Sequence, residues 1–283
     1  MRIIEKVSEM QQQADTWRRE EKRIAFVPTM GYLHAGHLAL MEAAQRHGDL
    51  VVISIFVNPT QFGPGEDYQN YPRDLDRDLR LASGVGVQVA FIPPAEEMYP
   101  PGFQTFVEVT EVTRNLCGRS RPGHFRGVTT VVMKLFQIVK PHAAVLGEKD
   151  FQQLVTIRRM SQDLDLGVTV LGHPIVREED GLAMSSRNVY LDGGQRQIAL
   201  RLSQALKRAQ ALVDSGERGA VALIAAVQEH INADGGAQID YVQLCHPETL
   251  EDVAAIDGPT LLALAVRMGK ARLIDNCVLQ LPA

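Results

Sequence analysis

Cysteine is scarce in this chain of 283 residues: Cys117, Cys245 and Cys277 stand far apart, odd in number and outside any C-x-x-C pattern. That distribution argues against a disulfide framework and against a zinc or redox centre, and it predicts buried, inert thiols in a reduced compartment. Long apolar runs are missing as well. No stretch approaches the roughly 20 residues needed to cross a bilayer, and Met1-Arg-Ile-Ile-Glu-Lys-Val7 lacks the apolar core of a signal peptide. The expected location is cytoplasmic, with no membrane partner. Nor is basic charge in excess: a net charge of −5 and a pI near 5.9 argue against a nucleic-acid partner, while leaving room for a local basic pocket.

What is present is a soluble globular composition, 45% hydrophobic and 22% charged, in a chain long enough for one large domain or two ordinary ones. Residues 3–20 carry Ile3, Ile4, Val7, Met10 and Trp17 among polar residues and read as one helix, followed by a polar linker at Glu20–Arg23. Ile24–Val27, closed by Pro28, reads as the first buried strand. A helix over Leu38–Arg46, stopped at Gly48, leads to Leu50–Val57, the strongest strand signal in the chain; together they make a βαβ unit. The breaker-rich stretch Asn58–Gly65 then falls at the carboxyl edge of a parallel sheet, where such sheets bind ligands.

Further along, the pattern predicts a charged helix over Arg73–Ala82 with Leu75, Leu79 and Leu81 inward, a strand over Val87–Ile92 and a short strand at Thr105–Val109. An arginine- and glycine-rich loop over 114–127 precedes a helix at Val128–Val139 and a strand at Ala143–Leu146. A helix opening at Lys149 or Asp150 runs to about Asp163, and Val168–Leu171 is a strand. This alternation predicts an α/β fold with a doubly wound parallel sheet. After Arg177–Gly181 the character changes to helices near 193–214 and 218–233 and strands near 239–244, 261–267 and 272–280. Two domains are expected, 1–175 and 176–283, the second a smaller α+β unit.

Four constellations carry chemistry. Phe26–Leu38 places a strand, a turn at Met30-Gly31 and then His34 and His37 where a helix begins, an arrangement that presents donors to a nucleotide phosphate. The alternatives are a zinc pair, for which no third ligand stands nearby, and two capping or solvated histidines. Gly147-Glu-Lys-Asp-Phe-Gln-Gln153 again follows a strand and opens a helix, so backbone N–H groups and Lys149 converge on an anion; the alternative is ordinary dipole complementation by Glu148 and Asp150. Met184-Ser-Ser-Arg-Asn188 suits a phosphate clamp in a linker, or simply an N-cap. Asn58-Pro-Thr-Gln61 offers amides for a small polar substrate, with turn chemistry explaining Asn58-Pro59 but not Gln61.

With these in order, the chain closely resembles the pantothenate synthetase (pantoate–β-alanine ligase) family, within the class I aminoacyl-tRNA-synthetase-like nucleotidyltransferases. The resemblance runs nearly end to end through PTMGYLHAGH, IFVNPTQF, YPRDLDRD, RPGHFRGV, GEKDFQQL, DGLAMSSRNVYL and ARLIDN. It implies a Rossmann-like N-terminal domain, a smaller C-terminal lid domain and a cytoplasmic homodimer. It also implies a two-step, Mg²⁺- and ATP-dependent condensation of pantoate with β-alanine through pantoyl adenylate, releasing pyrophosphate and AMP.

Carried over residue by residue, Met30, Gly31, Tyr32, Leu33, His34, Ala35, Gly36 and His37 would line the ATP site, with His34 and His37 donating to phosphates. Gly147, Glu148, Lys149 and Asp150 would contact the nucleotide, with Lys149 on the phosphates. Val176 would offer its backbone to adenine, and Met184, Ser185, Ser186 and Arg187 would form the phosphate-binding segment whose closure shields the adenylate. His34, His37, Lys149 and Arg187 would carry catalysis. Gln61 would bind pantoate and β-alanine, Gln153 would bind pantoate, and Asn58 would be a further substrate-binding residue. Protein ligands for magnesium are left open. Thr60 stands where the family usually has methionine, and Arg77-Asp78 replaces an acidic pair. The competing functions are another HxGH nucleotidyltransferase and a nucleotide-binding module without turnover.

Overall fold

The computed structural model describes residues 1–233 and 235–282. Two compact units emerge: Met1–Val109 with Arg121–Glu148 and Gln153–Pro174, and Thr110–Ser120 with Lys149–Gln152 and Ile175–Ala283.

The first unit is built on a six-stranded sheet in the order β1-β4-β3-β2-β5-β6: β1 (Arg2–Ile4), β2 (Ile24–Thr29), β3 (Leu50–Ile55), β4 (Val89–Phe91), β5 (Ala143–Gly147) and β6 (Thr169–His173). All of its pairings are parallel, as the alternating pattern predicts. From β2 the chain moves outward through β3 to β4, then returns to the other side of β2 at β5. That reversal is the switch point at which doubly wound sheets open a crevice at their carboxyl ends. Val27, Ile53, Ala90 and Val145 from the strands pack against Met41 and Ala44 of the helix Ala35–Ala44, forming the core that fixes this edge.

Several boundaries differ from the periodic reading, each for a tertiary reason. Ile3 and Ile4 leave the first helix, which spans Val7–Arg19, and pair as a strand with Ala90 and Phe91, because β4 otherwise exposes an edge. Pro28 does not end β2. It stays in register with Ser54 of β3 but lies beyond the last β2–β5 pair, Phe26 with Ala144, where the ladder on that side has ended. Thr105–Val109 is not a strand; the hydroxyls of Thr129 and Thr130 satisfy the Val107 backbone instead, at 2.6 Å to its carbonyl and 3.0 Å from its N–H. The stretch 114–127 is not all loop, since Cys117–Ser120 forms a helical turn and the long helix begins at His124. In the helix Leu75–Gly84, Leu79 and Leu81 pack on the core, but Leu75 is 43% exposed and the buried positions are Asp78 and Ala82.

The second unit is close to its expected form. Helices Gly193–Asp214 and Ala220–Asn232 cover an antiparallel sheet of β7 (Gln238–Cys245), β8 (Thr260–Met268) and β9 (Ala271–Leu279). Leu202, Leu206, Leu223 and Val227 from the helices close on Leu244, Leu262 and Leu264. Cys117 and Cys245 are buried, Cys277 partly so, and all three are free thiols. Burial and a neighbouring carboxylate push the Cys245 and Cys277 thiols up to about 12, which keeps them protonated and unreactive. No helix among the described residues is long and apolar enough to cross a membrane.

Candidate active site

The β2 edge ends in a turn that the backbone does not favour. Gly31 and Tyr32 are both left-handed, at φ 82° and 48°, the second at a cost for a residue with a side chain. Asp78 holds them. Its carboxylate is 1% exposed and accepts from Tyr32 N–H and Leu33 N–H at 2.7 Å each. Arg77 donates to the Leu33 carbonyl at 2.9 Å and lies 5.3 Å over the Tyr32 ring, while Gly31 N–H donates to the Thr29 hydroxyl at 3.2 Å. A Cβ on Gly31 would stand 3.0 Å from Asp78 Oδ2, so glycine serves both the conformation and the packing. Burial raises the Asp78 pKa, against the two backbone hydrogen bonds and Arg77, which favour the ion. The replaced acidic pair thus has a structural meaning: both residues brace this turn.

The turn delivers His34 and His37 in a reciprocal cap. Gly36 N–H donates to His34 Nδ1 at 3.2 Å, and His34 N–H donates to His37 Nδ1 at 3.3 Å. Their rings lie 4.0 Å apart and 35° from parallel. The cap is why the helix begins at Ala35 and not at Leu38. It also sets the chemistry: with both Nδ1 atoms accepting, each neutral ring carries its proton on Nε2. The capping alternative and the donor role are therefore compatible.

A second cluster follows β3. Asn58, 1% exposed, accepts at Oδ1 from Thr60 N–H, the Thr60 hydroxyl and the Tyr99 hydroxyl at 3.3, 2.9 and 2.8 Å. Its Nδ2 donates to the Gly127 carbonyl at 3.1 Å and to Gln61 Oε1 at 3.0 Å. Because Asn58 can only donate there, the Gln61 amide is oriented, and its Nε2 faces Met30, whose sulfur lies 3.2 Å away. Met30, Asn58 and Gln61 are thereby brought together. Thr60 closes this network through its hydroxyl. Gly127 is needed for contact: a Cβ there would lie 2.4 Å from the Thr60 carbonyl oxygen.

Beyond β5, Gly147 ends the strand and Glu148 leans over Gly172, where a Cβ would meet its carboxylate at 2.8 Å. Glu148–Asp150 forms a 3₁₀ turn before the helix Phe151–Asp163. The two glutamines there have opposite duties. Within the second unit, Gln152 is buried, accepts from Cys117 N–H at 3.0 Å and donates to the Val112 and Asn115 carbonyls at 2.9 and 2.8 Å. Gln153, half-buried on the first unit, has no side-chain hydrogen bond among the described residues.

The remaining predicted residues belong to the second unit. Asn276 donates to the Lys149 carbonyl at 2.9 Å. The Val176 carbonyl accepts from Met184 N–H at 3.0 Å in a hairpin bridged at Arg177 and Ala183, and Arg177 forks onto Asp275 at 2.7 and 2.9 Å. Ser185 caps the 3₁₀ turn Ser186–Tyr190 by accepting from Arg187 N–H at 3.2 Å, and Asn188 ties that turn to Glu178 at 2.6 Å. Tyr99, Gly127 and Gln152 have no role in the motifs as read from the sequence, and Asp78 stands there only as part of a replaced acidic pair. Their signal was present, since Asp78 and Gly127 fall inside YPRDLDRD and RPGHFRGV.

The pantoate–β-alanine ligase family model matches residues 2–278. The chain belongs to that family. A pantothenate synthetase of Syntrophobacter fumaroxidans is 65% identical over 280 residues, covering 99% of each chain. The crystal structure of the Thermus thermophilus pantothenate synthetase superposes with a TM-score of 0.93 at 47% identity, covering 98% of this chain and 99% of that one. A Francisella tularensis pantoate–β-alanine ligase, crystallised with beta-gamma ATP and β-alanine, gives a TM-score of 0.82 at 35% identity over 98% and 97%. The family's Rossmann-like sheet and smaller second domain are the architecture found here.

Proposed function

We propose that the protein condenses pantoate with β-alanine at the expense of ATP. The observation that carries this reading is agreement with pantoate–β-alanine ligases over almost the whole chain, including one crystallised with ATP and β-alanine. In the first step a pantoate carboxylate oxygen attacks the α-phosphorus of ATP. A new O–P bond forms, the bridging bond to the β-phosphate breaks and pyrophosphate leaves. In the second, the amine of β-alanine attacks the acyl carbon, AMP departs with the bridging oxygen, and the nitrogen loses its proton.

Pantoate's carboxylate has no proton to surrender, so the first step needs no general base. The Nε2–H groups of His34 and His37 serve as donors to phosphate oxygens, held in advance by the cap and by Asp78. Met30–His37, Gly147–Asp150, Val176 and Met184–Arg187 form the ATP-binding set, with Lys149 and Arg187 neutralising phosphate charge. Gln61 and Gln153 take pantoate; the oriented amide of the one and the uncommitted amide of the other support this. Magnesium enters as part of the Mg–ATP substrate. Among the described residues no group of three or more His, Cys, Asp or Glu could hold it, and both Asp78 oxygens already serve backbone amides. A cytoplasmic homodimer is proposed from the family resemblance; sedimentation of the purified protein tests the dimer.

Isotope exchange tests the activity. Labelled pyrophosphate should exchange into ATP only when pantoate is present, without β-alanine. Exchange driven by phosphopantetheine and not by pantoate identifies another nucleotidyltransferase, and ATP binding with no exchange identifies a module without turnover.

A further inference from the structure

The loop after Gln61 doubles back on itself, with Gly65 left-handed at φ 79° and Glu66 N–H donating to the Gly63 carbonyl at 3.2 Å. This return places Glu66 against Arg121, which donates from Nε and one terminal nitrogen to the two carboxylate oxygens at 2.6 Å each. The pair is largely shielded, at 26% and 16% side-chain exposure, which strengthens a charge-assisted fork. Glu66 also accepts from Gly63 N–H at 3.2 Å. The other terminal nitrogen of Arg121 lies 3.0 Å from His124 Nε2, and His124 Nδ1 lies 2.8 Å from the Gln61 carbonyl oxygen. Arg121 reaches that same oxygen at 3.3 Å.

Chemistry fixes every role in this chain. A guanidinium only donates, so His124 Nε2 accepts; a carbonyl oxygen only accepts, so Nδ1 carries the proton. The ring is neutral and in one tautomer. Gln61 is then held at both ends, its main-chain oxygen by His124 and Arg121 and its side chain by Asn58 and Met30.

We infer that Glu66, Arg121 and His124 form a latch that positions Gln61 for pantoate, so that the three are positioning residues that need not touch the substrate. This rests on the reading of Gln61 as a pantoate ligand. Two exchanges of His124 separate positioning from bulk. An asparagine places its amide N–H near the Nδ1 position and retains the donor to Gln61, whereas a glutamine reaches the Nε2 position and loses it.

The test is pantoate-dependent pyrophosphate exchange by the full chain, measuring KM for pantoate and for ATP. His124→Gln and Glu66→Gln should raise the pantoate KM by about tenfold and about threefold, on the scale of one weakened hydrogen bond. The ATP KM should stay within about twofold, and His124→Asn should stay within about threefold of the parent on both substrates. Equal impairment by His124→Asn and His124→Gln, parallel movement of both KM values, or an unchanged pantoate KM in both glutamine variants would overturn the latch. Should His124→Gln not fold, Glu66→Gln decides alone, because its site is partly open to solvent. Gln61→Ala is measured alongside: an unchanged pantoate KM there removes the underlying reading of Gln61, whereas a raised one beside unaffected latch variants removes only the latch.

Discussion

Two turns that the proposed reaction assigns to phosphate are held in opposite ways. Gly31–Leu33, on the first unit, is pinned by a buried carboxylate with two 2.7 Å hydrogen bonds and braced by Arg77. Ser185–Arg187, on the second unit, is held by several polar contacts, among them the Ser185 cap, Asn188 on Glu178 and on the Ala183 carbonyl, and Arg196 on Glu178 and Asp180. A left-handed turn that delivers two imidazole donors has to be fixed before substrate arrives if those donors are to stabilise developing charge. Polar contacts that are partly exposed are individually weak, so the loss of any one of them costs the second turn little. The first turn depends on one buried carboxylate; the second spreads its support over several groups.

The sharpest way to break this contrast is to remove each anchor. Asp78→Ala leaves one buried and one partly buried N–H without acceptors, at about 1–3 kcal/mol for a buried one, and should cost about 3 kcal/mol of stability together with more than about hundredfold in adenylation. Arg196→Ala, by contrast, should leave the urea midpoint of the protein nearly unchanged. Equal midpoints for the two variants would erase the distinction. Next in size is His37→Ala, expected to slow single-turnover adenylate formation by at least about tenfold with the fold retained, since losing one such donor costs about 2.7–4 kcal/mol elsewhere. An unchanged rate would leave His37 as a cap alone.

A smaller contrast lies within one helix. Gln153→Ala should weaken pantoate far more than ATP while shifting stability by less than about 0.5 kcal/mol. Gln152→Ala removes three buried hydrogen bonds and should cost about 2 kcal/mol of stability. Equal weakening of both substrates by Gln153→Ala would count against its assignment.

The smallest effect is one of pH. Burial alone would raise the Glu66 pKa, but hydrogen bonds and charge from Arg121, with help from the Gly63 N–H, hold it at about 2 instead of 4.5. The folded value lies below the unfolded one. Its stabilisation is therefore full above the unfolded value and lost as the pH falls toward about 2. The difference in denaturation midpoint between the parent and Glu66→Gln should shrink across that window, and a constant difference would exclude this linkage.

Much of this was legible from residue order. The strand-and-helix alternation reports the parallel sheet because buried strands read as continuous apolar runs, and the second unit's elements fall within a few residues of their periodic signals. Local periodicity misreads Ile3 and Ile4 because a neighbouring strand edge outweighs it. It places the helix starts at Ala35 and His124 too late for other reasons: histidine caps are uncommon, and Gly127 signals a breaker although it serves close packing. In the candidate site, adjacent glutamines give no hint that one is structural. Asp78 looks like a surface acid of a charged helix because nothing local announces which carboxylate will be buried against distant amides.

The proposed reaction stands on adenylation of pantoate's own carboxylate. Pantoate labelled with ¹⁸O at both carboxylate oxygens, turned over with ATP and β-alanine, follows the bond directly. AMP should carry one ¹⁸O, and pantothenate should keep the other in its amide. Unlabelled AMP, with the label recovered in inorganic phosphate, would contradict it.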